Sequence, residues 1–139
     1  MAYTARKLDY YYTTIAARAD EVYELLENLA KLGVNFLALT LVPIGPDSTQ
    51  LTLFPEDASL MKAVARQTGL VITGPHSAIL VQGDDQAGAL AAIHKQLRQE
   101  DVEVFASTAI TDGTGKYGCV LYLRPEDADR ALRTLALAH

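Results

Sequence analysis

A repeated pattern of strands and helices, spaced by about 68 residues, constrains the fold of this chain more than any other feature. Pro55–Ala58 recurs as Pro125–Ala128, each time directly after a strand-like run. Two extra residues in the hairpin of the second copy change the spacing from 68 to 70. The spacing of 68 pairs Leu29 with Leu97, Val34 with Val102, Ala38 with Ala106, Thr40 with Thr108 and Gly45 with Gly113, and the spacing of 70 pairs Leu51 with Leu121 and Leu53 with Leu123. The repeat indicates that a small module was duplicated, and we expect function where modules meet.

Composition excludes several classes of function. The net charge is -5 and no cluster of Lys or Arg is present, so we expect no nucleic-acid partner. Residues 1–9 lack the apolar centre of a signal peptide, and the sequence contains no apolar run of 18 residues, so we expect no membrane partner. The single cysteine, Cys119, cannot form an internal disulfide. A cytoplasmic protein is therefore the expectation.

The first half of the chain reads as strand, helix, strand, strand, helix, strand. The helix has an apolar stripe at helical spacing, and Gly33 follows it as expected of a C-terminal cap. Pro55 is expected to open the second helix, because proline suits the first helical position. The predicted elements are strands at Leu8–Ile15, Val34–Val42, Thr49–Phe54 and Leu70–Thr73, with helices at Arg18–Leu32 and from Pro55.

The second half repeats this order but ends without a clear fourth strand. Its predicted elements are strands at Ser77–Gln82, Val102–Ile110 and Tyr117–Leu123, with helices at Gln86–Gln99 and from Pro125. One edge of the second sheet is therefore vacant. The N-terminal arm, another chain or nothing could occupy it.

This order predicts an α+β fold, a ferredoxin-like βαββαβ module present twice. Right-handed crossovers in each module give an antiparallel sheet with two helices on one face. Residues 1–74 form the first predicted domain and residues 75–139 the second, with Gly74-Pro75 as the joint.

One segment of the second half has the character of a binding site. Gln82–Leu90 lies between the first strand and the first helix of that half, and it contains two adjacent carboxylates and two glycines. Its match Asp85-Gln86-Ala87-Gly88-Ala89-Leu90 resembles the Asp-x-x-Gly-x-Leu loop of the ACT domain, a small regulatory module that binds amino acids. In the first half, Gly33-Val34-Asn35-Phe36 resembles the Gly-Val-Asn-Ile start of that family's second strand. The resemblance covers the whole chain as two consecutive modules, a tandem ACT protein.

The physical chemistry of the loop is compatible with a small ligand. A helix N-terminus offers unpaired amides and positive potential to a carboxylate, and a glycine allows close approach. Asp84 or Asp85 could meet an ammonium group. In ACT proteins the ligand usually lies at the junction of two modules, between this loop and the start of the second strand. The resemblance therefore implies ligand contacts at Asp84, Asp85, Gln86, Ala87, Gly88 and Ala89, with Asn35 and Phe36 from the first half.

The corresponding loop of the first half departs from the pattern. Asp20 stands at the glycine position, and alanines replace the leading carboxylates. We expect one such site per chain, or none. A purely structural interpretation remains open, in which Asp84 and Asp85 cap the helix and Gly88 permits close packing of helix against sheet.

No segment of the sequence matches a known catalytic or metal-binding motif. Gly113-Thr114-Gly115-Lys116 lacks the spacing of a phosphate loop and is expected to be a hairpin turn. His76, His94 and His139 are scattered, and no spacing suggests a metal site. Cys119 has the character of a buried strand residue. We therefore expect no enzyme activity, no cofactor and no metal.

The expected function is allosteric regulation or sensing by a homodimer that binds an amino acid at a module junction and acts on an enzyme partner. One rival is a ligand-free interaction module that assembles through sheet faces or edges. A small enzyme on the same fold is the second rival.

Overall fold

A computed structural model describes residues 2–138 of the chain. The predicted domain limits also include Met1 and His139, and His139 was among the histidines considered for a metal site; both lie outside the described residues. The elements are β1 (Tyr3–Ala16), α1 (Ala19–Lys31), β2 (Phe36–Pro43), β3 (Ser48–Pro55), α2 (Ala58–Thr68), β4 (Thr73–Asp84), α3 (Ala89–Gln99), β5 (Val104–Thr111), β6 (Lys116–Leu123), a 3₁₀ turn (Pro125–Asp127) and α4 (Ala128–Ala138).

Contacts divide the chain into two compact units. The first unit comprises residues 9–76, and the second unit comprises the residues up to Leu8 together with those from Ser77 onward. The predicted division at residue 74 thus differs from the units in one respect, because the N-terminal residues belong with the second half. The domain limits 1–74 and 75–139 themselves stay a prediction.

The first unit has the predicted ferredoxin-like arrangement. Its strands lie in the order β2-β3-β1-β4, to which β4 contributes residues 73–76, and the β2–β3 and β3–β1 pairs are antiparallel. Leu51 and Leu53 of β3 are fully buried, and they pack in one core with Leu29 and Met61. These two leucines therefore face the helices.

In the second unit, the N-terminal arm occupies the sheet edge that the sequence left vacant. Its strands lie in the order β1-β4-β6-β5, and the outer strand β1 is the N-terminal arm, Tyr3–Leu8. The Tyr3 hydroxyl donates a 2.5 Å hydrogen bond to the Leu135 carbonyl, which ties this strand to α4. The strand approaches Gly83 so closely that a Cβ there would lie 2.7 Å from the Ala2 carbonyl oxygen. Glycine at position 83 thus makes room for the arm.

Equivalent hydrogen bonds confirm the repeat. The Val34 amide donates to the Leu29 carbonyl at 2.9 Å, and the Val102 amide donates to Leu97 at the same distance. The turn after each first helix needs a left-handed backbone, which Gly33 supplies with φ +87° in the first unit. The second unit uses Asp101 there, at φ +56°. Aspartate is one of the few other residues that tolerate this conformation.

Two expectations about the first half are wrong. Pro55 ends β3 instead of opening α2, because Asp57 caps that helix two residues later with a 3.1 Å hydrogen bond from the Leu60 amide. Residues 70–72 form no strand. The predicted Gly74-Pro75 joint lies within β4, where the strand passes so close to β1 that a Cβ on Gly74 would lie 2.8 Å from the Tyr10 carbonyl oxygen.

The tyrosine run Tyr10–Tyr12 packs within the first unit. Tyr11 belongs to the helix-side core, whereas the Tyr10 ring lies 4.9 Å from that of Phe54 and 5.3 Å from that of His76 between ring centroids. Tyr12 also contacts His76, with 5.1 Å between the centroids. Sheet packing therefore accounts for all three tyrosines.

The two copies differ at the aspartate that precedes the last helix of each unit. Asp57 is an exposed cap, whereas Asp127 is 4% exposed. Arg130 donates to one Asp127 carboxylate oxygen at 2.8 Å and Arg124 to the other at 3.2 Å. Arg130 also donates to the Asp101 carbonyl at 3.3 Å, so the buried carboxylate joins α4 to the turn after α3.

We expect Asp127→Ala to lower the free energy of unfolding by about 2 kcal/mol, because two charge-assisted hydrogen bonds are lost and two arginines lose their acceptor. The matched variant Asp57→Ala loses only a helix cap, which costs about 1 kcal/mol. Urea denaturation followed by circular dichroism measures both values. An equal loss in the two variants would contradict the structural role assigned to Asp127.

Candidate functional site

The loop from Asp84 to Gly88 connects the end of β4 to the start of α3 in the second unit. Gly88 is the N-terminal cap of α3 and has φ +86°. The Asp85 amide donates a 2.9 Å hydrogen bond to the Gly115 carbonyl in the β5–β6 turn. In the first unit the Ala17 amide makes the equivalent 3.0 Å bond to Asp47, so the loop position itself is inherited from the repeat.

The structure excludes the proposed packing role of Gly88. A Cβ built at this position meets no heavy atom within 4 Å, so close packing does not require a glycine there. The positive φ is what favours a glycine at position 88, because residues other than Gly, Asn and Asp rarely adopt such a backbone conformation. Because Gly88 itself caps the helix, neither Asp84 nor Asp85 is its capping residue. The first amides of α3 consequently have no side-chain cap.

Asp84 and Asp85 have different surroundings. Asp84 faces Lys116, the first residue of β6, in an ion pair and hydrogen bond. The hydrogen bond from the Lys116 ammonium and its positive charge hold the pKa of the Asp84 carboxyl below its ordinary value. Asp84 is therefore already partnered, whereas Asp85 forms no such ion pair among the described residues.

A surface pocket of about 350 Å³ opens beside this loop. Four of the predicted site residues line it: Asp85, Gln86, Gly88 and Ala89. Asp84 instead lines a neighbouring cavity of about 60 Å³ with Tyr3 and Gln96, and Ala87 lines neither. The remaining wall of the larger pocket consists of Leu90, Ala91, Ala109, Ile110, Thr111 and Tyr117.

Sequence reasoning missed the wall residues from β5 and β6. Thr111 pairs with Tyr117 across the hairpin, and Asp84 pairs with Lys116 on the other side of β6. This register brings the end of β5 next to the helix start. The hydrogen-bonding register of the hairpin was the missing information, since the residue types Ile110 and Tyr117 suit any half-buried strand.

Asn35 and Phe36 lie in the first unit, at the start of β2. The Asn35 side-chain amide donates a 2.8 Å hydrogen bond to the Glu56 carboxylate, and both residues are exposed. Phe36 packs partly buried against the core of the first unit. Their role as ligand contacts stays a prediction.

The corresponding helix start in the first unit differs chemically. Its cap is Arg18, with extended backbone and no side-chain cap bond, and the Arg18 side chain lies 3.8 Å from Asp20. Counted from the helix start, an arginine therefore stands where the second unit has Gly88, whereas Asp20, which the spacing of 68 pairs with Gly88, lies within the first turn of α1. This agrees with the expectation that the two loops are not equivalent.

Two larger surface pockets lie elsewhere, at the C-terminal ends of helices. One of about 580 Å³ lies between the ends of α1 and α2, and one of about 570 Å³ lies beside the end of α3. Helix C-termini present carbonyl oxygens with partial negative charge, which disfavours a carboxylate. The pocket at the start of α3 lies at a helix N-terminus, where the partial positive charge of the amides favours a carboxylate.

Within residues 2–138, no group of three or more His, Cys, Asp or Glu side chains is placed to hold a metal ion. Cys119 is 1% exposed, and burial raises the pKa of its thiol, which disfavours the reactive thiolate. Across the same residues, no helix combines the length and the apolar character that crossing a bilayer requires.

Comparison with solved structures finds this fold in other proteins. Protein BT0572 from Bacteroides thetaiotaomicron has a TM-score of 0.81 at 18% identity, covering 96% of this chain and 90% of that one. The ligand-free regulatory subunit of aspartate kinase from Thermus thermophilus has a TM-score of 0.62 at 12% identity, covering 99% and 97%. The structure of aspartokinase alpha and beta subunits has a TM-score of 0.60 at 13% identity, with the same coverage.

No protein-family model matches the chain, and neither does any curated protein. At these identities the likeness establishes the fold. The predicted α+β fold with two βαββαβ-like repeats is confirmed, and it is ACT-like.

The Asp84–Lys116 pair predicts a specific titration. In the wild-type chain the Asp84 carboxyl should titrate below its ordinary pKa, and Lys116→Met should raise it towards that value. A folded-state pKa that is lowered gives a stability contribution present above the unfolded-state pKa and lost as the pH falls through the folded one.

Side-chain NMR titration of the aspartates measures this shift. Asp112 is the internal control, because hydrogen bonds from the side chain and backbone of Thr114 lower the pKa of its carboxyl independently of Lys116. An Asp84 pKa that is the same in the variant and the wild type would contradict the assigned cause.

Proposed function

We propose that this chain is a non-catalytic regulatory protein that binds a small ligand, an amino acid, at a junction between ACT-type modules. The observation that carries the proposal is the 350 Å³ pocket at the start of α3, where no side chain caps the helix. Its volume lies near the lower end of the range for small-molecule sites, about 300–1,000 Å³. Four residues expected from the sequence line it.

The pocket offers complementary groups to the two charged ends of an amino acid. The Ala89 amide donates to the Gln86 carbonyl at 3.1 Å, so the next amides of α3, those of Leu90 and Ala91, can receive the carboxylate in the positive potential of the helix N-terminus. Asp85 can receive the ammonium group. Lys116 is held by Asp84, so it does not neutralise Asp85 directly.

The second part of the proposed site comes from Asn35 and Phe36. We assign them to a second copy of the chain, so that ligand binding bridges two protomers of a homodimer. Bridging stabilises one arrangement of the protomers over others, and the ligand shifts that equilibrium by its difference in affinity. An enzyme that recognises one arrangement would be regulated by it.

The likeness to solved structures supports a regulatory role. Among the proteins with this fold are the regulatory subunit of aspartate kinase from Thermus thermophilus and a regulatory subunit from Thermus flavus. Each is nearly the length of this chain, since 97% of each is covered. A fold of this kind can therefore act as a separate regulatory chain.

A second candidate function is a ligand-free interaction module. The strands at one edge of each sheet, β2 and β5, contain no charged residue, although natural edge strands are usually protected by charge. Large apolar side chains on them are exposed, among them Leu41, Phe105 and Ile110. Such edges favour pairing with another strand whether or not a ligand is bound.

A thermal-shift screen of the full chain against the twenty amino acids tests the proposal. A ligand present at 100 times its dissociation constant stabilises the folded chain by about 2.7 kcal/mol. We expect at least one amino acid to raise the melting temperature in a dose-dependent way. A flat response, together with self-association measured by analytical ultracentrifugation without ligand, would instead support the interaction module.

Gly88→Val tests whether the loop is the site. The substitution should abolish binding of the amino acid found in the screen, because a β-branched residue strains the positive φ and projects over the helix start. The fold should survive, since no atom lies within 4 Å of the new Cβ. Isothermal titration calorimetry measures the binding.

Gly113→Val is the matched control. Gly113 has φ +84° and an equally open Cβ position, but it lies in the β5–β6 turn and does not line the pocket. It should bear the same backbone strain and retain binding. Wild-type affinity in Gly88→Val, or equal loss in both variants, would remove the loop from the site.

A further inference from the structure

We infer that the pocket at the start of α3 selects amino acids with an uncharged aliphatic side chain. This inference rests on the proposed function, because it names the ligand class of the same site. It draws on the pocket wall contributed by β5 and β6, which the sequence resemblance did not supply.

The wall beyond the loop is aliphatic. Leu90 and Ile110 are the large side chains there, and they are 38% and 74% exposed. Ala89, Ala91 and Ala109 complete the apolar surface. A ligand side chain of methyl and methylene groups would remove this surface from water, which is favourable roughly in proportion to the area buried.

The charge pattern disfavours ionised ligand side chains. Among the residues that line the pocket, Asp85 is the one that carries a charge at neutral pH, and no lysine, arginine or histidine is among them. An acidic side chain would find no cation in the wall. A basic side chain would compete with the ligand's own ammonium group for a single carboxylate. Both would lose solvation without a dedicated partner.

Tyr117 supplies a hydroxyl group to the pocket wall. The residue lines the pocket and is 8% exposed, and within residues 2–138 its hydroxyl has no hydrogen-bond partner. Burial raises its pKa, so the hydroxyl remains protonated at neutral pH and can donate. The hydroxyl is not among the buried unpaired polar atoms of the described residues, so solvent reaches it and it can donate to a ligand oxygen.

The other hydroxyl of the wall is already occupied. Thr111 donates to the Lys116 carbonyl at 2.8 Å and accepts from the Gly113 amide at 3.1 Å. It stabilises the hairpin turn and contributes little polarity to the pocket. The polar groups available to a ligand are therefore Asp85, Gln86, Tyr117 and the helix amides, with aliphatic surface around them.

Calorimetric titration of the full chain with individual amino acids tests the selectivity. We expect valine, leucine or isoleucine to bind at least about tenfold more tightly than aspartate, glutamate, lysine or arginine. Ile110→Ser should weaken binding of the best aliphatic ligand by about five- to tenfold through loss of apolar contact. Tyr117→Phe should weaken it by about fivefold through loss of one hydrogen bond.

Val42→Ser is the matched control for Ile110→Ser. Val42 is the repeat equivalent of Ile110, lies on β2 and is 46% exposed, but it lines no part of this pocket. Val42→Ser should leave the affinity for the best aliphatic ligand unchanged. Circular dichroism checks that every variant is folded.

Three results would overturn the inference, and they can be distinguished. Preferred binding of a charged amino acid that Gly88→Val abolishes would leave the proposed function intact and make the aliphatic selectivity wrong. The absence of binding by all twenty amino acids would contradict the proposed function itself, and the inference would fall with it. Equal loss in Ile110→Ser and Val42→Ser would also overturn the inference, because it would show that the pocket wall has no specific role.

Discussion

The second unit depends on one constraint: its sheet needs a fourth strand that its own half of the sequence does not contain. Residues Tyr3–Leu8 supply that strand beside β4. The contacts that hold it there include the hydrogen bond from the Tyr3 hydroxyl to the Leu135 carbonyl, the hydrogen bond from the Asp84 amide to the Ala2 carbonyl at 3.2 Å, and an ion pair between Lys7 and Asp129 at 4.0 Å. The last of these is exposed and contributes little. Burial of the Tyr3 ring in the core is the larger stabilising effect.

This arrangement also fixes the surroundings of the candidate site. The N-terminal strand borders the last residues of β4, and Asp84 at the end of β4 is held by both Ala2 and Lys116. The β4–α3 loop consequently leaves the sheet from a strand end that is paired on both sides. A binding loop is most precise when rigid elements support both of its ends. In the second unit β4 and the β5–β6 turn provide that support.

Comparison of the two copies separates what the fold requires from what differs at the site. Both copies keep the loop-to-hairpin hydrogen bond and the turn after the first helix, although Asp101 replaces Gly33 in the second copy. At the helix start, by contrast, Arg18 caps α1 and Gly88 caps α3. The backbone is conserved between the copies while the chemistry at the helix N-terminus is opposite in character. A difference of that kind is expected when one copy has a binding role that the other lacks.

Much of the fold followed from the sequence because the repeat, the apolar periodicity and the turn residues all pointed to the same arrangement. The N-terminal strand was predicted to begin only at Leu8, since Thr4, Arg6 and Lys7 obscure the alternation of an edge strand. Pro55 was misplaced because proline suits a strand end as well as a first helical turn. The helix then began after the stronger cap, Asp57.

The loop residues of the candidate site could be predicted from the sequence, whereas the residues that β5 and β6 contribute could not. Asp85, Gln86, Gly88 and Ala89 are consecutive or nearly so, and a motif can identify them. Ile110 and Tyr117 reach the same pocket only through the register of the hairpin, and Lys116 partners Asp84 for the same reason.

The hairpin thus both anchors the loop and forms the wall of the pocket. A ligand held there would contact α3, β5 and β6 together. The ligand would therefore contact β5, the uncharged edge strand with which a second chain could pair. Binding and assembly would be coupled through this one strand, because β5 both lines the pocket and lies at an edge of the strand order.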